Sequence, residues 1–101
     1  MRVLVREPIN QPLQLKEIEG TLEDLQELVG ECIEIVRITD DIVCICNEKG
    51  SLQGLGNNFY SDGLGWIVGT CVFTSSKGTE FTSLTDMQIG YLSEYIGYPV
   101  V

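Results

Sequence analysis

GTLEDLQELVGECIEIVRITDDIVCICN, from Gly20 to Asn47, decides how this chain folds. Thr21 is a good helix N-cap, because its hydroxyl can accept an orphan backbone N–H. Asp24 stands where the acid of a capping box stands. Leu22, Leu25, Leu28 and Val29 recur at helical spacing and form one apolar stripe. Gly30 is a natural stop. So short a helix is not stable alone and needs a sheet to lean on. The next segments supply one. Glu31–Ile38 and Ile42–Asn47 are rich in β-branched residues, and Thr39-Asp40-Asp41 between them reads as a turn.

Upstream, Arg2–Arg6 alternates as a short strand, and Pro8, Asn10 and Pro12 mark a turn. Leu13–Ile18 reads as its hairpin partner. Downstream, Asn47-Glu48-Lys49-Gly50 is a tight turn, and Ser51–Asp62 reads as an irregular loop with apolar anchors. Gly65–Thr74 returns to strand character, with Gly69 suggesting a bulge. Ser75–Gly78 reads as a hairpin turn, and Glu80–Thr82 as a last short strand. Ser83 or Thr85 then caps a final helix that Gly97 and Pro99 end. The expected fold is one α+β domain over residues 1–101. It has an antiparallel or mixed sheet of about five or six short strands with two helices packed on it. The order is β-β-α-β-β-(loop)-β-β-α. The expected core is Leu4, Leu15, Leu22, Leu25, Leu28, Ile33, Ile35, Val43, Ile45, Trp66, Val68, Val72 and Ile89.

Charge and composition narrow the function. Lys and Arg number 6, Asp and Glu 15, and the net charge is -9. There is no histidine, so the usual proton shuttle and the commonest metal ligand are missing. Cys32, Cys44, Cys46 and Cys71 show no C-x-x-C spacing and sit in apolar, β-branched stretches. They read as packed, reduced thiols rather than zinc ligands or a disulfide framework. No catalytic constellation stands out, and no metal or cofactor is expected. No apolar run is long enough to span a bilayer, and the N-terminus lacks a signal-peptide pattern, so a cytoplasmic protein is expected.

Two candidate sites follow. The first is acidic: Glu17, Glu19, Glu23, Asp24, Glu27, Glu31 and Glu34, with Asp40 and Asp41 nearby. Such a surface repels nucleic acid and suits a basic patch on another protein. Its bland alternative is a solvated face. The second is the block Asn47, Gly50, Gly54, Asn57 and Asn58 with Tyr60. Amides and exposed backbone there suit a small polar ligand such as a nucleotide. Its bland alternative is ordinary turn chemistry. The net charge opposes an anionic ligand unless Arg2, Arg6, Arg37, Lys49 or Lys77 converge. Tyr91, Tyr95 and Tyr98 lie at helical spacing and read as packing, a dimer surface or a base-stacking platform.

Gly20–Ile96 also resembles a known family. The matching pieces are GTLEDLQELVG at Gly20–Gly30, IEIV at Ile33–Val36 and the Asp41–Asn58 block with CNEKG and QGLGNN. IVGT at Ile67–Thr70 and EFTSLTDMQI at Glu80–Ile89 complete them. The family is a domain of unknown function, number 3846, found in phages, prophages and conjugative elements of Firmicutes. The chain departs from it at Gly56, where the family often has proline. The resemblance implies an accessory protein of a mobile element and implies no reaction. The expected function is a non-enzymatic protein that antagonises a host defence system by stoichiometric binding. The favoured form is an acidic, DNA-mimic-like inhibitor of a basic effector, such as a CRISPR nuclease or restriction enzyme. The alternative is an oligomeric sponge that sequesters a nucleotide immune signal, a cyclic nucleotide or an ADP-ribose derivative. A structural or regulatory module of the element is the third expectation.

Overall fold

The computed structural model describes residues 1–101. Its strands are β1 (Arg2–Arg6), β2 (Gln14–Glu17), β3 (Ile33–Arg37), β4 (Ile42–Asn47), β5 (Asn57–Ser61), β6 (Gly65–Val68), β7 (Cys71–Lys77) and β8 (Glu80–Thr82). The helices are α1 (Leu22–Val29) and α2 (Asp86–Ile96). The main sheet runs β2-β1-β7-β4-β3, antiparallel throughout. Ser75 of β7 pairs with Ile42 of β4 and with Thr82 of β8, so β8 lies on the β1 side of β7. β5 and β6 form a separate two-stranded sheet. The fold is α+β, and no helix is long and apolar enough to cross a membrane.

Strand alternation divides the core between two faces. Val3, Val5, Ile45 and Val72 point one way and pack with Leu25 and Val29 of α1. Leu4, Cys44, Cys46, Cys71 and Phe73 point the other way and pack with Phe59, Ile67 and Leu92. Covering on both sides explains why all six residues of β4 are buried.

The local signals hold where the chemistry is local. Thr21 Oγ1 accepts from the Asp24 N–H (3.1 Å), and Gly30 ends α1. The capping box expected there is displaced by one residue. The Asp24 carboxylate accepts from the N–H of Gly20 rather than of Thr21 (3.0 Å). Thr85, not Ser83, caps α2, and its capping partner is Gln88. Both expected hairpins form, β1–β2 and β3–β4.

Several expectations need correction. The segment read as a loop, Ser51–Asp62, contains β5. The single strand expected over Gly65–Thr74 is two strands. Gly69, at φ 80°, turns the chain between β6 and β7. β7 continues through Lys77, so the following turn falls at Gly78 and Thr79. Leu15, Leu22, Ile35 and Trp66 are exposed rather than core. Leu15 and Ile35 lie on the two outer strands, and Leu22 opens α1. Trp66 pairs with Tyr60 on the outward side of the small hairpin, whose inward pair is Phe59 and Ile67.

Candidate functional site

The expected acidic residues do not form one surface. Glu17 lies on β2 and bonds the N-terminal ammonium (3.3 Å), while Glu34 lies on β3 at the opposite margin. Four strand spacings separate these margins, roughly 19 Å. Glu19, Glu23, Glu27 and Glu31 are exposed along α1 and its flanks, and half-buried Asp24 holds Gly20. Glu34 shares the strand face of Val36, which packs away from α1. Asp40 and Asp41 sit in the β3–β4 turn, where Asp41 accepts from the Thr39 hydroxyl (2.8 Å). Of the seven acids from Glu17 to Glu34, Glu17 alone has an ion-pair partner.

The Asn and Gly block divides as well. Asn47 is committed to its turn: Oδ1 accepts from the Lys49 N–H (2.8 Å), and Nδ2 donates to Gln53 Oε1 (3.0 Å). Gly50 is buried beneath Val68, and Gly54 is exposed in the loop. Asn57 is exposed at the start of β5, and its carbonyl accepts from the Ile9 N–H (3.0 Å). Asn47 borders a small groove beside β3, and Asn58 and Tyr60 together line a larger cleft.

That site is a cleft of about 330 Å³ between the β5–β6 hairpin and the C-terminal end of α2. It is within the volume range of small-molecule pockets. The buried Arg6 and Asn58 are its floor, and Tyr60, Trp66, Tyr95 and Tyr98 are its aromatic walls. The floor follows from strand period. Leu4 and Arg6 are two apart on β1, so Arg6 enters on the core face that Leu4 fills. Only 2 % of Arg6 is exposed.

The guanidinium is held entirely by neutral groups. Nε donates to Gln11 O (2.6 Å), and Nη1 donates to Asn58 O (2.6 Å) and Asn58 Oδ1 (3.2 Å). The plane lies over the Tyr98 ring, 4.3 Å from its centre. Nη2 has no partner within the chain, and no sealed side-chain nitrogen lacks one, so Nη2 is not fully sealed, and Arg6 lines the cleft. No carboxylate pairs with Arg6. A buried cation without a counter-ion carries a desolvation penalty of several kcal/mol, which carbonyl acceptors offset only in part. Asn58 Nδ2 donates to Arg6 O and Gly69 O, both at 2.8 Å. Its amide is therefore fully used in holding the floor.

The aromatic walls are ordered by their own contacts. Tyr60 and Trp66 meet edge to face at 5.6 Å. Tyr95 stacks on Tyr91 at 6.0 Å and meets Phe59 edge to face at 6.1 Å. Burial pushes the Tyr95 phenol above its ordinary range. A hydrogen bond with Ser61 opposes the rise, while Tyr91 and Asp62 add to it. The phenol is thus a neutral hydrogen-bonding group near neutral pH. Tyr98 donates its hydroxyl to Asn10 Oδ1 (2.8 Å). Asn10 and Ile9 both have positive φ, 58° and 67°. A β-branched residue there is strained, and such strain clusters at functional sites.

Of the basic residues whose convergence would favour an anionic ligand, Arg6 alone lines the cleft. Arg2 bonds Leu84 O and Asp86, and Arg37 bonds Asp40 O. Sequence reasoning missed Arg6, Asn10, Tyr95 and Tyr98 as one site. A usable signal was present: placing Leu4 in the core puts Arg6 on the same inward face.

No curated protein and no solved structure matches the chain at a significant level. The family model described as "Domain of unknown function (DUF3846)" matches residues 1–97, so the chain belongs to that family.

Proposed function

We propose that the protein is a non-enzymatic sequestering protein that captures a small, planar, anionic ligand of the mononucleotide class in the Arg6 cleft. The observation that carries this is the buried, uncompensated Arg6 cation facing a cleft with aromatic walls. A phosphate or carboxylate on Nη2 would supply the missing counter-charge in a charge-assisted hydrogen bond. A base between Trp66 and Tyr95 would gain about 1–3 kcal/mol of stacking. At ~0.3 kcal/mol per non-hydrogen atom, a mononucleotide would bind with Kd on the order of 10 µM. In the setting that the family resemblance suggests, the ligand would be a nucleotide signal of host defence.

The acidic-inhibitor reading has one observation in its favour: Glu23, Glu27 and Glu31 have no ion-pair partners. The scatter of the acids over opposite margins and faces weighs against a single phosphate-like array.

Isothermal titration with nucleoside monophosphates, cyclic mononucleotides and ADP-ribose tests the sequestering role. The expected result is one-to-one, micromolar binding of at least one of them, weakened about tenfold or more in Arg6→Gln. The bound ligand should be recovered unchanged. Absence of binding across the panel, or recovery of a converted product, would reject it.

A further inference from the structure

We propose that the free edge of β3 is a docking strip for an extended, basic segment of another protein. This strip adjoins the ligand cleft, with Trp66 lining both, but its backbone edge does not depend on that cleft. Two backbone bonds bracket the strand. Glu48 N–H donates to Cys32 O (2.8 Å), and Ile38 N–H donates to Ile42 O (2.9 Å). In the β3–β4 register, Glu34 pairs with Cys46 and Val36 with Cys44. The alternation therefore turns the N–H and C=O groups of Glu34 and Val36 toward β4. Those of Ile33, Ile35 and Arg37 turn outward, where no strand receives them.

The opposite margin is closed. Beside β2, Leu13 N–H donates to Pro99 O, Leu15 N–H to Val101 O, and Val101 N–H to Leu13 O. The chain covers one edge of its sheet with its own terminal residues and leaves the other open. An open edge is a template for strand addition unless something guards it. The Ile35 side chain on this edge is 53 % exposed.

The side chains around the strip select the occupant. A groove of about 140 Å³ runs beside β3, lined in part by Glu34, Glu48, Leu64 and Trp66. Neither carboxylate has an ion-pair partner. Pairing of two copies about Ile35 would place both Glu34 side chains on one face as diagonal neighbours. Each copy also carries a net charge of -9. Self-pairing is opposed on both counts. A Lys or Arg opposite Glu34 meets opposite charge instead. Its aliphatic stem can lie along Leu64 and the exposed Trp66 face, which also attracts a cation. The preferred partner is thus a strand with basic residues at alternate positions.

The test uses the full chain and a fluorescently labelled peptide of alternating Arg and Val, followed by anisotropy. A peptide of alternating Glu and Val is the control. Saturable binding of the Arg peptide is expected, weakening as salt rises, with none for the Glu peptide. The exposed double variant Glu34→Lys/Glu48→Lys should weaken binding about tenfold or more at an unchanged unfolding midpoint. Ile35→Pro, which removes one outward N–H, should do the same if it folds. The proposal is overturned if the Arg peptide does not bind, if the two peptides bind equally, or if the double variant binds as the parent does. It is also overturned if sedimentation shows a stable dimer that the Glu34→Lys/Glu48→Lys variant tightens, for the occupant is then a second copy.

Discussion

Asn58 lines the cleft, yet its carboxamide is turned to the protein's own atoms. Its composition-rich neighbourhood points to a ligand amide. Its carboxamide bonds Arg6 and Gly69 and leaves no N–H for a ligand. Asn58→Ala would remove the side-chain donor from two buried carbonyls and the longer of the two bonds on Arg6 Nη1, while the bond to the Asn58 backbone carbonyl stays. A loss of about 3 kcal/mol in urea unfolding is expected, against ~0.5 kcal/mol for an exposed change such as Asn57→Ala. Titration provides a second residue-scale check. Burial, reinforced by Cys46 and Cys71, pushes the Cys44 thiol well above its ordinary range, and burial raises Tyr95 as well. Both groups bind their protons more tightly folded than unfolded. The unfolded chain therefore ionises first, and stability must fall as pH rises beyond about 9. Cys46 is shifted the other way by its hydrogen bond to Cys44, but its contribution is complete by about pH 9. Urea midpoints that rise between about pH 9 and about 10.5 would therefore contradict this sign. Arg6 was legible only through the strand period, because its charge alone argues for exposure.

At the scale of elements, caps and adjacent hairpins were legible and distant adjustments were not. Thr21, Gly30, Thr85 and Gly97 bound their helices because a cap depends on a few neighbouring atoms. The β5–β6 hairpin was missed although Asp62-Gly63 is a strong turn signal. Glycines on either side made the segment resemble a loop. Leu22, Leu25, Leu28 and Val29 all fit the α1 stripe, but burial separates them. Leu25 packs on Val3 and Val72, while Leu22 is 58 % exposed. Leu25→Ala should cost about 3 kcal/mol, and Leu22→Ala well under 1 kcal/mol, by denaturant unfolding. Gly30 makes a sharper case. Its φ is 121°, and an added Cβ would lie 2.5 Å from Asn47 Nδ2. Gly30→Ala therefore combines backbone strain with a displaced turn.

At the scale of the molecule, the sequence contained the layers but not their order. β1 pairs with β7 across most of the chain, and no local signal states that pairing. The two-sided cover of the sheet and the meeting of Arg6 with Tyr95 and Tyr98 depend on it. Whole-molecule charge also separates the two proposed surfaces. A net charge of -9 repels an incoming anion at long range, so added salt should speed nucleotide association. Added salt should weaken a basic strand at β3. Opposite salt responses are the expected outcome in stopped-flow and anisotropy measurements, and a shared sign would mean that one surface has been misassigned. The most direct test is a two-dimensional NMR titration of the labelled protein with the best-binding mononucleotide. Saturable shifts should centre on the Trp66 indole, the Arg6 Nε–H and the backbone around Asn58 and Tyr98, leaving Ile33–Arg37 unmoved. Shifts scattered over the acidic residues, or none at millimolar ligand, would contradict capture in the Arg6 cleft.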